Sequence, residues 1–415
     1  MIATRLSNGS FLQINPLTFF LLFYFVRNHI GLLALYFGFF QFKDYDYSNV
    51  TTLAYMAMMN ACLFLTFFII SKLHFYTRWA GYISALQVPE LKVRKLGYLI
   101  LLGVVVGVYA LAIQRILDGS AIRLLFESSV SGSSDALNAR LSSYVDGSLA
   151  FGLRIQYLNT IFFAAEIIML TFLASSFKFK NREHLFISFV LFVGLLLWNT
   201  SNASKGYIVV FAIYCYIIFS FMGSGKLLFY NKKVIGAVGG AVLISSVLAY
   251  FVMGHTSLNI FYPLERFVMG NLRPQYVLID SFDSTTMLLG QSVPAWFSMN
   301  NHSQFLLGEY SWKMMNGLTN PSVFYHNPSS FVAELHANFG GFAVIFMPLV
   351  FCYILIFSWA LIIASGRYAF FIALYTTYYF SKYTVKEILP GIFDYRLVLT
   401  VLIALILLRL MTRRV

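Results

Sequence analysis

The chain is predicted to fold as an all-α polytopic membrane protein, with about ten transmembrane helices and one long outer loop of short helices. Three observations predict this. Hydrophobic residues make up 59% of the 415 and charged residues only 11%, against roughly a quarter charged in soluble domains. Apolar stretches near the ~20 residues needed for a helical crossing recur along the chain. Between them, short Lys-rich loops alternate with loops of a different character.

The predicted spans run at about 16–42, 51–71, 97–114, 155–176, 185–200, 205–222, 234–254, 340–365, 368–381 and 395–411. Helices satisfy their own backbone polar groups, so lipid is the solvent in which this composition makes sense. The 44 Phe and 27 Tyr suit lipid-facing rings and interfacial belts. Arg27 lies inside the first span, and the ninth is short and Tyr-rich. The N-terminal apolar stretch is too long for a cleavable signal and lacks a small-residue cleavage site. Cys62, Cys215 and Cys352 each sit in an apolar run, so no disulfide framework is implied. Residues 1–415 read as a single transmembrane domain, with the loop 255–339 between the seventh and eighth spans.

Orientation follows from charge. Lys72, Arg78, Lys92, Arg94 and Lys95, then Lys178, Lys180 and Arg182, then Lys226, Lys232 and Lys233, then Arg367, and finally Arg409, Arg413 and Arg414 alternate correctly with ten spans. These segments and both termini are expected in the cytoplasm. A formal charge of +13 would suggest nucleic acid in a soluble protein. Here the positive-inside rule accounts for much of it, and no nucleic-acid partner is expected. The opposite side carries Asp44, Asp46 and seven arginines, at 115, 123, 140, 154, 266, 273 and 396. Long loops are exempt from the topology rule. Those arginines are either solvated surface charge or contacts for an anionic substrate.

Three segments carry candidate chemistry. The run Asn199-Thr200-Ser201-Asn202-Ala203-Ser204-Lys205-Gly206 opens the sixth span on the outer side. Backbone N–H groups at a helix N-terminus attract anions, and Lys205 adds a full charge. The alternative is a snorkelling lysine beside an ordinary cap. In 260–274, apolar residues recur near helical spacing around Arg266 and Arg273, which predicts short amphipathic helices at the interface. Gly270 and Pro274 leave open whether the two arginines share one helix. Guanidinium forks match phosphate oxygens, those of lipid headgroups included.

The end of the long loop, Tyr325 to Gly341, is the most informative segment. Asn327 before Pro328 predicts a helix cap with proline at the first helical position, and His326 then stands just outside the helix. Phe331, Glu334, Leu335 and Asn338 fall on one face, whereas His336 lies about 200° from Glu334. Histidine and carboxylate at a membrane surface serve as acid, base or substrate ligand, or make structural hydrogen bonds. Gly340 and Gly341 allow a bend before the next span. Asp280 and Asp283 stand three apart without paired histidines, so no metal site is expected, and no cofactor motif is visible.

The residues Ser204-Lys205-Gly206, the large late outer loop, His326-Asn327, and the run Glu334-Leu335-His336-Ala337-Asn338-Phe339-Gly340 resemble the O-antigen polymerase family, relatives of the O-antigen ligases. The resemblance implies a GT-C-like, metal-independent glycosyltransferase without cofactor in a bacterial inner membrane. It implies growth of a glycan at the periplasmic face. An undecaprenyl-diphosphate-linked oligosaccharide is transferred from its carrier lipid onto an incoming repeat unit, and a chain-length regulator is the expected protein partner. Leaving diphosphate develops charge that cations must stabilise; Lys205, Arg266 and Arg273 are the candidates, with Arg140 and Arg154 for a second diphosphate. His326, then Glu334 or His336, are the candidates for handling the acceptor proton. The family's arginine at the mid-chain span is Lys205 here, a point charge without the bidentate fork. A ligase acting on lipid A–core and a lipid-linked oligosaccharide flippase are the competing readings.

Overall fold

A computed structural model describes residues 14–37, 48–117, 155–200, 206–223, 262–282, 307–316, 330–382 and 395–414, with a few residues between 236 and 240 and between 286 and 292. In chain order, α1 (Pro16–Tyr24) passes through a π-helical turn (Phe25–His29) into α2 (Ile30–Tyr36). Then come α3 (Val50–Ser71), α4 (His74–Ala85), β1 (Leu91–Val93) and α5 (Lys95–Leu117). They are followed by α6 (Ile155–Phe179), α7 (Arg182–Thr200) and α8 (Gly206–Gly223). The late part holds α9 (Tyr262–Ser281), α10 (Leu307–Asn316), α11 (Phe331–Phe339), α12 (Ala343–Ala364), α13 (Ala369–Ser381), α14 (Tyr395–Met411) and β2 (Thr412–Arg414).

Among the described residues, six helices are long and apolar enough to cross a membrane: Pro16–Leu33, Val50–Ser71, Lys95–Leu117, Asn159–Phe179, Arg182–Asn199 and Phe331–Ala364. The chain is therefore a helical protein of multi-pass membrane character. The apolar stretch Val210–Met222 is shorter. Helix α13 has 13 residues, a rise of about 20 Å, short of the ~30 Å hydrocarbon core. Its residues are almost wholly buried, Thr376, Thr377 and Ser381 among them. Most of the predicted seventh span lies outside the described residues.

The chain forms two compact units. The first comprises Met1–Ser84, Tyr262–Trp359 and Thr376–Asp394; the second comprises Ala85–Phe261, Ala360–Tyr375 and Tyr395–Val415. In the first, α1 packs on α11 and α12 through aromatic rings, with Phe20 against Phe331 at 5.3 Å and Phe351 at 6.1 Å. Asn15 caps α1 by accepting from the Leu17 and Thr18 amides, and its own amide donates to the Tyr76 hydroxyl at 3.3 Å. That bond ties down α4, a helix within the segment between the second and third spans that charge places in the cytoplasm. Its buried residues Tyr76, Trp79, Ala80 and Ile83 follow helical spacing.

In the second unit α6 is the centre, flanked by α7 and α14. Arg115, counted above among the outer arginines, is buried with its guanidinium 4.7 Å from the Trp198 ring. Trp198 in turn stacks on Phe162. This cation is thus part of the packing. Near the predicted cytoplasmic ends, β1 pairs antiparallel with β2, with Lys92 opposite Arg413. The all-helical expectation missed this ribbon, because three-residue strands rich in Lys and Arg carry too little hydrophobic alternation to be seen.

Candidate functional site

Of the described candidate residues, Glu334 and His336 lie on α11, and Arg266 and Arg273 lie on α9, which packs against it in the first unit. Helix α11 begins at Phe331, not at Pro328 as the Asn-Pro pair suggested. Ser330 is its cap: the hydroxyl accepts from the Ala333 amide at 3.4 Å and donates to Gln275 Oε1 at 2.8 Å. The predicted cap at Asn327 is therefore corrected for this helix. Serine caps as well as asparagine, and here it also anchors the helix start to α9. Asn327 itself, with His326, lies outside the described residues, as do Lys205, Arg140 and Arg154.

Helix α9 is a second correction. Residues 262–281 form one continuous helix with Pro274 inside it. Arg266 and Arg273 therefore stand two turns apart on a single element. The expectation of short interfacial helices fails for its second half, where Leu272 and 274–279 are buried in protein. Burial of this stretch against α10 and α11 supplies packing that outweighs the proline's missing hydrogen bond. Arg273 is half-buried there.

Glu334 and His336 are both buried, the first fully, and they serve different arrays. Glu334 lies in the first turn of α11, where the helix dipole favours negative charge. It accepts from the Ser292 hydroxyl at 3.3 Å. The Asn338 amide, one turn on, donates to Ser292 Oγ at 2.9 Å and to the Glu334 backbone carbonyl at 2.8 Å. On the other flank, His336 Nε2 donates to the Phe282 carbonyl at 2.9 Å. That bond places the ring proton on Nε2, so in the neutral ring Nδ1 accepts from the Tyr55 hydroxyl at 3.0 Å. Both ring nitrogens are engaged. His336 is thereby suited to position the α9–α11 junction, and the angular separation expected from the sequence agrees with the two distinct arrays.

The C-terminal end of α11 is closed by chain rather than by solvent. The amides of Leu288 and Leu289 donate to the carbonyls of Ala337 and Asn338 at 2.9 and 3.0 Å, satisfying carbonyls that a helix end otherwise leaves open. Gly340 then turns the chain with φ +54°, and a Cβ there would stand 2.9 Å from Met287 Sδ. Gly340→Ala is expected to cost about 1–3 kcal/mol through backbone strain, read as a lowered unfolding midpoint of the purified chain. An unchanged midpoint would show that the turn is not required.

Sequence reasoning missed several partners. Tyr55 and Ser292 are far from α11 in the chain, and no local pattern marks them. Asp280, a candidate metal ligand by its spacing from Asp283, has a structural role instead. It accepts from Asn49 Nδ2 at 2.9 Å and from the Thr52 hydroxyl at 2.7 Å, which fixes the start of α3 to α9. Among the described residues no group of three or more His, Cys, Asp or Glu converges. Taken together, the arrangement offers a buried carboxyl, a fixed imidazole and a half-buried guanidinium in one unit of a membrane protein. No protein-family model, no curated protein and no solved structure matches this chain.

Proposed function

We propose that the chain is a repeat-unit polymerase, transferring a glycan from undecaprenyl diphosphate onto an incoming lipid-linked repeat unit at the outer face of a bacterial inner membrane. One observation carries this reading. Glu334 and Asn338, joined through Ser292, and His336, bonded to the Phe282 carbonyl, lie on one short buried helix, and Gly340 turns the chain at its end toward an apolar span. Such fixing of acid, base and backbone is what a transfer without a metal requires, because the protein alone must orient the acceptor and steady the leaving diphosphate.

In this reading the chain carries about ten membrane helices in a GT-C-like arrangement, with both termini cytoplasmic. His326 or Glu334 handles the acceptor proton, and His336 positions them. Lys205, Arg266 and Arg273 stabilise the leaving diphosphate, and Arg140 with Arg154 holds the second. A chain-length regulator acts beside it in the membrane.

Deletion of the gene, followed by display of surface glycan on a gel, is the test. Loss of a polymerase leaves core bearing single repeat units. Bare core would indicate a ligase, and an undisturbed ladder would remove both transferase readings. At residue level, Lys205→Ala, Arg273→Ala and His326→Ala are each expected to collapse the ladder at normal protein abundance. Retention of the ladder in all three would overturn the site assignment.

A further inference from the structure

We propose that the polar cluster within the first helix, formed by Arg27, Asn28 and Asn60 around Tyr24, binds the phosphate head of a membrane lipid. The inference stands on the membrane fold and is independent of the transferase reading. Its starting point is the π-helical turn Phe25–His29, which places Arg27, Asn28 and His29 in succession inside an apolar span. Such turns interrupt the regular helix ladder and recur at functional positions. Ionisable and polar groups at this depth are costly and mark ligand or ion sites.

Two further observations give the cluster its chemistry. Asn28 and Asn60 are each only 1% exposed, and among the described residues the Nδ2 of each lacks a hydrogen-bond partner. The Tyr24 hydroxyl donates to Asn60 Oδ1, and the Gln275 carboxamide lies beside the same hydroxyl. Helices α3 and α9 both pack against the π turn. The Asn28 and Asn60 carboxamides therefore hold unfilled N–H donors, Asn28 directly follows Arg27 in the π turn, and a buried donor without an acceptor costs about 1–3 kcal/mol. An oxygen-rich anion supplies the missing acceptors.

The surroundings add charge and apolar surface. Tyr378 lies within electrostatic reach of Arg27, and its ring carries the Lys382 ammonium at 4.7 Å. On the same helix Phe25, Ile30 and Leu33 are exposed, which suits a ligand whose tail stays in the hydrocarbon. A phosphate on a lipid, from a polyprenyl carrier or a phospholipid, meets both demands.

The test is lipid retention by the full-length chain purified in mild detergent, measured by native mass spectrometry. The probes are undecaprenyl phosphate, its dephosphorylated alcohol, phosphatidylglycerol and inorganic phosphate. The native chain is expected to retain a phosphorylated lipid, and Arg27→Met and Asn28→Leu to weaken that retention at least about tenfold. Preference for undecaprenyl phosphate or for phosphatidylglycerol identifies the source, and either supports the site. Equal retention of the alcohol and its phosphate by the native chain, or inorganic phosphate held as well as lipid, would overturn it, even where the variants fail to fold. No glycan product enters the readout, so loss of the polymerase reading leaves this result standing.

Discussion

Replacement of His336 by leucine is expected to lower the stability of the first unit by about 2–3 kcal/mol and to abolish polymerisation together with it. The leucine fills similar space but leaves the Phe282 carbonyl without its donor and the Tyr55 hydroxyl with only the Gly340 carbonyl, at 3.3 Å, as acceptor. The carbonyl is the costly part, because a buried acceptor that loses its partner forfeits its desolvation in full. Tyr55→Phe separates the two bonds. It removes the donor to Nδ1 and keeps the Nε2 contact, so the expected loss is about 1 kcal/mol. Thermal unfolding of the purified chain, read beside the glycan ladder, checks both. A His336→Leu protein of native stability that makes no polymer would instead make His336 the proton-handling group.

Glu334→Gln is expected to leave the fold intact and to slow glycan transfer by about 10²-fold or more. Glutamine keeps an oxygen for the Ser292 hydroxyl and preserves the Asn338 bonds, so the array around α11 survives. What is lost is the ability to take or give a proton. Glu334→Leu adds a structural defect, because Ser292 then loses an acceptor inside the protein. A ladder from Glu334→Gln indistinguishable from the native one, at equal abundance, removes Glu334 from the chemistry and leaves it a structural carboxyl.

The membrane architecture was legible in the sequence because hydropathy is a local, summed property. The second span, expected at 51–71, is found at Val50–Ser71; the fifth, expected at 185–200, is Arg182–Thr200. What escaped was local geometry that depends on distant partners. Helix α9 is continuous through Pro274 because Leu278 and Phe282 pack with Ala333 and Ala337, and a proline in isolation argues for a break. The start of α11 moved from Asn327 to Ser330 because Gln275, 55 residues earlier, receives the serine hydroxyl. The π turn under Arg27 has no sequence signature beyond an arginine, an asparagine and a histidine in an apolar run. For the site, the separation of Glu334 from His336 around α11 could be read from helical geometry. The identity of Tyr55, Ser292 and the Phe282 carbonyl as their partners required the fold.

The most direct test of the central claim is reconstitution. The purified chain in lipid vesicles, with chelator present, is given undecaprenyl-diphosphate-linked repeat units, and the length of the lipid-linked glycan is followed with release of undecaprenyl diphosphate. The expected result is a ladder of lengthening products, with one carrier diphosphate freed for each unit joined. Repeat units that remain single in the presence of folded protein, or a ladder that forms only when a divalent cation is restored, would contradict it.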